Sequence, residues 1–175
     1  SDAERLIRGV LTRRPESEQA LLRLGDLYLA RLRAEPKSSE RAAWIQQARR
    51  AYETVYAHHK GHEWAGNNLA WLLAHEENNP DAALRYLQEI RTGRHSKQLR
   101  SADRLPAELL DTLGSVYTAL NKPEYNTEMR DLFEAAKVRY PNDPRMYLYL
   151  GNAYAGLRDV AKAKSLYATA ISLAN

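Results

Sequence analysis

The chain contains no cysteine, which excludes disulfide cross-links, thiolate metal sites and cysteine nucleophiles together. Phenylalanine occurs once and methionine twice in 175 residues, so the eleven tyrosines must supply most of the large aromatic packing. No run approaches the ~18 apolar residues of a spanning helix, and membrane insertion is not expected. Alternating β-branched runs are missing too, so nothing reads as a strand. The phosphate-cradling patterns G-x-G-x-x-G and G-x-x-x-x-G-K-[ST] do not occur, nor does the G-x-S-x-G of serine hydrolases. What is present is 44% hydrophobic and 27% charged, enough apolar residue to form a core rather than a disordered chain. The formal charge of +4 is mildly basic, so the distribution of cations decides more than their total.

Two clusters invite chemistry. His58, His59, His62 and Glu63 form H-H-K-G-H-E, with ligand types suited to zinc or nickel. They fall at a helix end around Gly61, where a protonated imidazole is favourable on dipole grounds alone, and H-E-x-x-H is absent. The cluster therefore reads as a solvated turn, and no metal or cofactor is expected. The second cluster is the basic segment 91–104, with Arg91, Arg94, His95, Lys97, Arg100 and Arg104 against Asp103 alone. Such cations can contact phosphates. The segment lacks the interleaved aromatics of a base-stacking platform, so nucleic acid is the lesser reading.

Four short strings recur: Leu24-Gly25-x-x-Tyr28, Leu69-Ala70-x-x-Leu73, Leu113-Gly114-x-x-Tyr117 and Leu150-Gly151-x-x-Tyr154. Each lies in an apolar stripe of helical spacing. Each is followed by a second stripe: Ala48, Tyr52, Val55; Ala83, Leu87, Ile90; Met129, Phe133, Ala136; and Ala163, Tyr167, Ala170. Asn79-Pro80-Asp81, Asp143-Pro144, Asp159 and Pro106 supply helix starts, and Gly93 a stop. Tyrosines 28, 52, 117, 147, 154 and 167 sit on the stripes and read as core.

The pattern resembles the tetratricopeptide repeat, a helix–turn–helix of about 34 residues with W-x2-L-G-x2-Y, then A-x3-F, then P. The resemblance covers nearly the whole chain and matches most closely at Tyr147, Leu150, Gly151, Tyr154, Ala163, Tyr167 and Ala170. It implies an all-α, right-handed α-solenoid of stacked helical hairpins. Residues 1–15 read as the second helix of a truncated leading repeat, from Ala3, Ile7, Val10 and Pro15. Units then span 16–61, with about eleven extra residues and long helices; 62–104, including the basic connection; 105–142; and 143–175. A start at Ser1 and an end at Asn175 without a capping helix read as a piece of a longer protein, with open ends as candidate self-association surfaces.

In such arrays the first helix of each hairpin lines the inner groove. By position this gives Arg23 and Asp26; Trp64, Asn67, Asn68, Trp71 and His75; Asp111, Thr112 and Ser115; and Tyr149 and Asn152. Asparagine amides can pair with a peptide backbone, and the tryptophans can anchor an apolar side chain. Co-chaperone relatives grip acidic chaperone tails with a two-carboxylate clamp. Its positions here are Leu22, Asp26, Asn68, Glu108 and Thr112; only Asn68 matches, and Asp26 and Glu108 would repel a carboxylate. That sub-family is excluded. Asn67 to Ala74 is similar to the phrasing of many bacterial members, several of which serve envelope assembly or polysaccharide export. The resemblance thus implies a non-catalytic adaptor that binds a peptide or protein segment in its groove, in periplasm or cytoplasm. The alternative is anionic-polymer or nucleic-acid binding through Arg91, Arg94, Lys97, Arg100 and Arg104.

Overall fold

The computed structural model describes residues 1–92 and 100–175. Among the described residues the chain folds into nine α-helices and one 3-10 turn, with no strand. The helices are α1 (Asp2–Arg13), α2 (Glu18–Ala34), α3 (Arg41–His58), α4 (Glu63–His75), α5 (Pro80–Thr92), α6 (Ala107–Leu120), α7 (Pro123–Arg139), α8 (Pro144–Gly156) and α9 (Val160–Ala174). The turn at Ala102–Arg104 precedes α6. Gly93 lies outside the described residues. None of the described helices is long and apolar enough to cross a membrane.

Local chemistry explains the starts. The side chains of Asn79, Asp143 and Asp159 accept from the backbone N–H groups of Ala82, Arg145 and Lys162 at 3.1, 3.0 and 3.1 Å. Each satisfies a donor that the first helical turn leaves open. Pro144 and Pro123 sit in the first turns of α8 and α7, where a missing N–H costs nothing. One cap is of an unexpected type: His62 Nδ1 accepts from Ala65 N at 3.2 Å and opens α4. Helices α2 and α3 run to 17 and 18 residues.

Consecutive helices pack against one another throughout, closest between α2 and α3, α4 and α5, and α8 and α9. In addition α4 packs on α6 and α6 on α8, so these three lie side by side. The glycines mark close crossings. A Cβ on Gly25 would meet the Tyr52 ring at 2.5 Å, and one on Gly151 the Tyr167 ring at the same distance. Gly114 lies directly under the Tyr149 ring. In the second hairpin Gly66, one turn before the aligned Ala70, lies under Tyr56 and Ile90.

Helix α4 divides the core. Its Leu69 and Leu72 join one apolar cluster with Leu24, Leu32, Trp44 and Tyr52, while Ala70 and Leu73 join the other with Leu87, Leu113, Phe133 and Leu150. Of the six stripe tyrosines, 28, 52, 117 and 154 are buried, and 147 and 167 are half-buried. Full burial of one large apolar side chain stabilises by roughly 1.5–3 kcal/mol. Trp44 is buried on α3.

Candidate functional site

The faces of α2, α4, α6 and the start of α8 enclose a cavity of about 520 Å³. Helix α2 contributes Asp26, Leu29, Ala30 and Arg33; α4 contributes Trp64, Asn67, Asn68 and Trp71; α6 contributes Glu108, Asp111 and Thr112; and α8 contributes Arg145. Trp64, Asn67 and Glu108 also line an adjoining cavity of about 460 Å³.

Asp26 ties three helices together. Its Oδ1 accepts the Tyr52 hydroxyl at 2.7 Å from α3 and the Trp64 indole N–H at 3.0 Å from α4. Burial, reinforced by the hydrogen bond to Asp26, pushes the Tyr52 hydroxyl far above the usual phenol range, so it stays a donor. The Trp64 ring is held by its N–H yet remains 53% exposed. Trp71, two turns further along α4, is half-buried. It stacks on His75 with ring centres 4.9 Å apart and carries the Arg33 guanidinium at 5.2 Å.

At the far wall Asp111 accepts the Tyr149 hydroxyl at 2.8 Å and pairs with Arg145 at 3.2 Å. Arg145 is also gripped by Asp143 at 2.9 and 2.6 Å, which raises its pKa and holds the Asp143 carboxyl below its ordinary value.

A comparison of two helix contacts explains the cavity. Between α6 and α8, Tyr149 lies on Gly114 and gives its hydroxyl to Asp111, three residues before that glycine. The same register between α4 and α6 holds Asn67, three before Ala70, and Thr112, two before Gly114 as Tyr149 is two before Gly151. Thr112 is too short to fill the place of a tyrosine, and its hydroxyl bonds to the Glu108 carbonyl within its own helix at 3.1 Å. The space stays open. Asn67 Oδ1, at the position of the satisfied Asp111, is buried without a hydrogen-bond partner among the described residues. Leaving such an atom unpaired costs about 1–3 kcal/mol.

Seven of the sequence-derived groove residues line the cavity: Asp26, Trp64, Asn67, Asn68, Trp71, Asp111 and Thr112. Asn68 is only 9% exposed. Four others lie outside it. Arg23 is exposed on α2, and His75 sits on Trp71. Ser115 donates to the Thr112 carbonyl at 2.9 Å, and Asn152 bridges Thr118 and Tyr167 at 3.1 and 2.9 Å.

Tyr149 requires correction. It is 9% exposed, its ring packs over Gly114 and against Phe133, and its hydroxyl is committed to Asp111. It braces Asp111 from behind and is not itself among the residues that line the cavity. Burial, with the nearby Asp111 charge, raises its pKa.

Two residues of the expected anion site are engaged within the chain. Arg91 is 5% exposed, with Nη1 donating to Glu128 at 2.6 Å and to the Tyr117 hydroxyl at 3.2 Å. A guanidinium is not left bare in a core, and this one is neutralised there. Arg100 donates to Glu63 at 2.8 Å and to the Ile90 carbonyl at 3.1 Å. Arg104 is exposed, while Arg94, His95 and Lys97 lie outside the described residues. In the histidine cluster, Glu18 approaches His59 Nδ1 at 2.5 Å and His62 Nε2 at 3.4 Å, joining α2 to the turn before α4.

The lining residues that the groove list lacks are Leu29, Ala30, Arg33, Glu108 and Arg145, of which Glu108 appears above only as a clamp position. A signal existed for three of them. Arg33 is seven residues after Asp26, the same two-turn spacing that joins Trp64 to Trp71, and Glu108 is one turn before Asp111. Arg145 lies in the first turn of α8, where a cation opposes the helix dipole and so calls for an acidic partner. No protein-family model matches the chain, and no curated protein matches it.

Proposed function

We propose that this chain is a non-catalytic interaction module that binds an extended or helical segment of another protein in the cavity between α2, α4, α6 and α8. In this reading the four hairpins after α1 form a right-handed solenoid of tetratricopeptide type, with those four helices as its inner face and α3, α5, α7 and α9 outside. The side-by-side packing of α4, α6 and α8 and the recurring glycine–tyrosine crossings support it. One observation carries the binding site. The Trp64 ring, 53% exposed and fixed by its hydrogen bond to Asp26, stands in a cavity lined from four helices. Rigid helices hold it, so a partner meets it already oriented.

Selection of a displayed random-peptide library tests the reading, with counter-selection on a Trp64→Ala/Trp71→Ala variant. Retained peptides are expected to bind the variant at least about tenfold more weakly, as for loss of aromatic anchors. Trp64→Ala alone, at an exposed position, checks that the loss is not unfolding. If no retained peptide depends on these tryptophans, the groove reading is wrong.

A further inference from the structure

We infer that the bound segment seats an arginine side chain on Trp64, between Asp26 and Glu108. This rests on the groove reading above and names what the groove selects. Trp64 and Glu108 line both cavities, and Asp26 lines the first beside them. The Trp64 ring is 53% exposed and fixed by its bond to Asp26. Asp26 uses only Oδ1 for its two donors, and its Oδ2 has no hydrogen bond or ion pair among the described residues. Glu108 is exposed, and its carboxylate likewise has no such partner among them.

Two cations line the cavity. Arg145 is held by Asp111 and Asp143, and Arg33 lies over Trp71, close enough to Tyr52 to act on it electrostatically. The lining carries three carboxylates, Asp26, Glu108 and Asp111, against these two guanidiniums, so its balance is negative. An acidic segment would be repelled there. An apolar one would leave both carboxylates idle. A guanidinium fits all three demands: it is planar and stacks on an indole face, it is always charged, and it carries five N–H donors in a fixed fork. A lysine ammonium meets the charge but not the plane.

The test uses four blocked pentapeptides, Gly-Gly-X-Gly-Gly with X as Arg, Lys, Gln or Glu, titrated to about 10 mM, tenfold above a Kd of ~1 mM. The readout is the Trp64 indole N–H in ¹H–¹⁵N spectra of the whole chain. The arginine peptide is expected to give a saturable shift, the lysine peptide a weaker one, and the other two none. Glu108→Gln, at an exposed site, should weaken the arginine peptide by up to about fivefold, the upper end for an exposed ion pair. Equal binding of the glutamine peptide, indifference of the arginine peptide to Glu108→Gln, or no shift with any peptide overturns the arginine seat. The library selection separates this from failure of the groove itself. Groove-dependent peptides without arginine would leave the groove and remove the seat.

Discussion

Gly114 and Gly9 make a matched pair in which one substitution has opposite signs. A Cβ on Gly114 would fall within the Tyr149 ring, closer than any real contact. The ring cannot retreat. Phe133 packs against it with ring centres 5.2 Å apart, and its hydroxyl is tied to Asp111 at 2.8 Å. Overpacking of this kind costs about 1–3 kcal/mol, and the confined ring argues for the upper end. The better helix propensity of alanine returns ~1 kcal/mol. Gly114→Ala should thus destabilise by about 2 kcal/mol, and lower Tm by about 4–8 °C in a chain of this size.

Gly9 lies inside α1 with nothing within 4 Å of an added Cβ. Gly9→Ala should therefore stabilise α1 by ~0.5–1 kcal/mol, read as a roughly two- to fivefold slowing of α1 amide exchange. Urea unfolding followed by far-ultraviolet circular dichroism measures Gly114→Ala. Adding Tyr149→Leu should remove most of its cost, since the two residues share one contact. If Gly114→Ala is as stable as the parent chain, the tyrosine-on-glycine account of the helix crossings is wrong.

Other outcomes follow from single contacts. Tyr149→Phe should cost about 1.5–2 kcal/mol in urea unfolding, because Asp111 loses a charge-assisted hydrogen bond in a partly buried place. The Glu4 carboxyl is held down from 4.5 to about 2, chiefly by the Tyr28 hydroxyl, with Arg8 and Arg31 assisting. A lowered folded-state pKa gives stability that is present above the ordinary value and lost as pH falls towards 2. Limited acid proteolysis should accordingly release α1 between pH 4.5 and 2, and Glu4→Gln should abolish that dependence. Arg91→Gln should destabilise by ~2–3 kcal/mol, since Glu128 and Tyr117 lose their cation, without changing retention on an anionic-polymer column. Asn67→Leu should leave stability unchanged or raise it by ~1 kcal/mol, by removing an unpaired buried oxygen, while weakening the selected peptides.

Much of the helical layout was legible because its causes are local. The caps at Asn79, Asp143 and Asp159 need only neighbouring residues, and the apolar stripes with Tyr28, Tyr52, Tyr117 and Tyr154 mark the buried faces. Helical spacing says which residues share a face but not which neighbour that face meets. Tyr149 was for that reason assigned to an open groove, although α6 lies against it. Arg91 counted as one of a run of cations, although Glu128, 37 residues away, holds it inside. The close approach at Gly66 instead of the aligned Ala70 depends on where Tyr56 and Ile90 arrive from other helices. The site was half legible for the same reason. Trp64, Asn67 and Trp71 come from one helix and share its spacing. Arg33, Glu108 and Arg145 come from three other helices and gain their meaning only when α4 is set among them. Thr112 is the sharpest case. Its identity is unremarkable until Tyr149 at the equivalent register shows what a threonine leaves unfilled.

The central claim is that the cavity between α2, α4, α6 and α8 is where a partner segment binds. Its most direct test is chemical-shift mapping of the ¹⁵N-labelled chain with one library-selected peptide. The account predicts perturbations concentrated at Trp64, Asn67, Trp71, Glu108 and Thr112, with the Trp64 indole N–H among the largest. Perturbations confined to the outer helices α3, α7 and α9, or to the exposed Arg104, would contradict it.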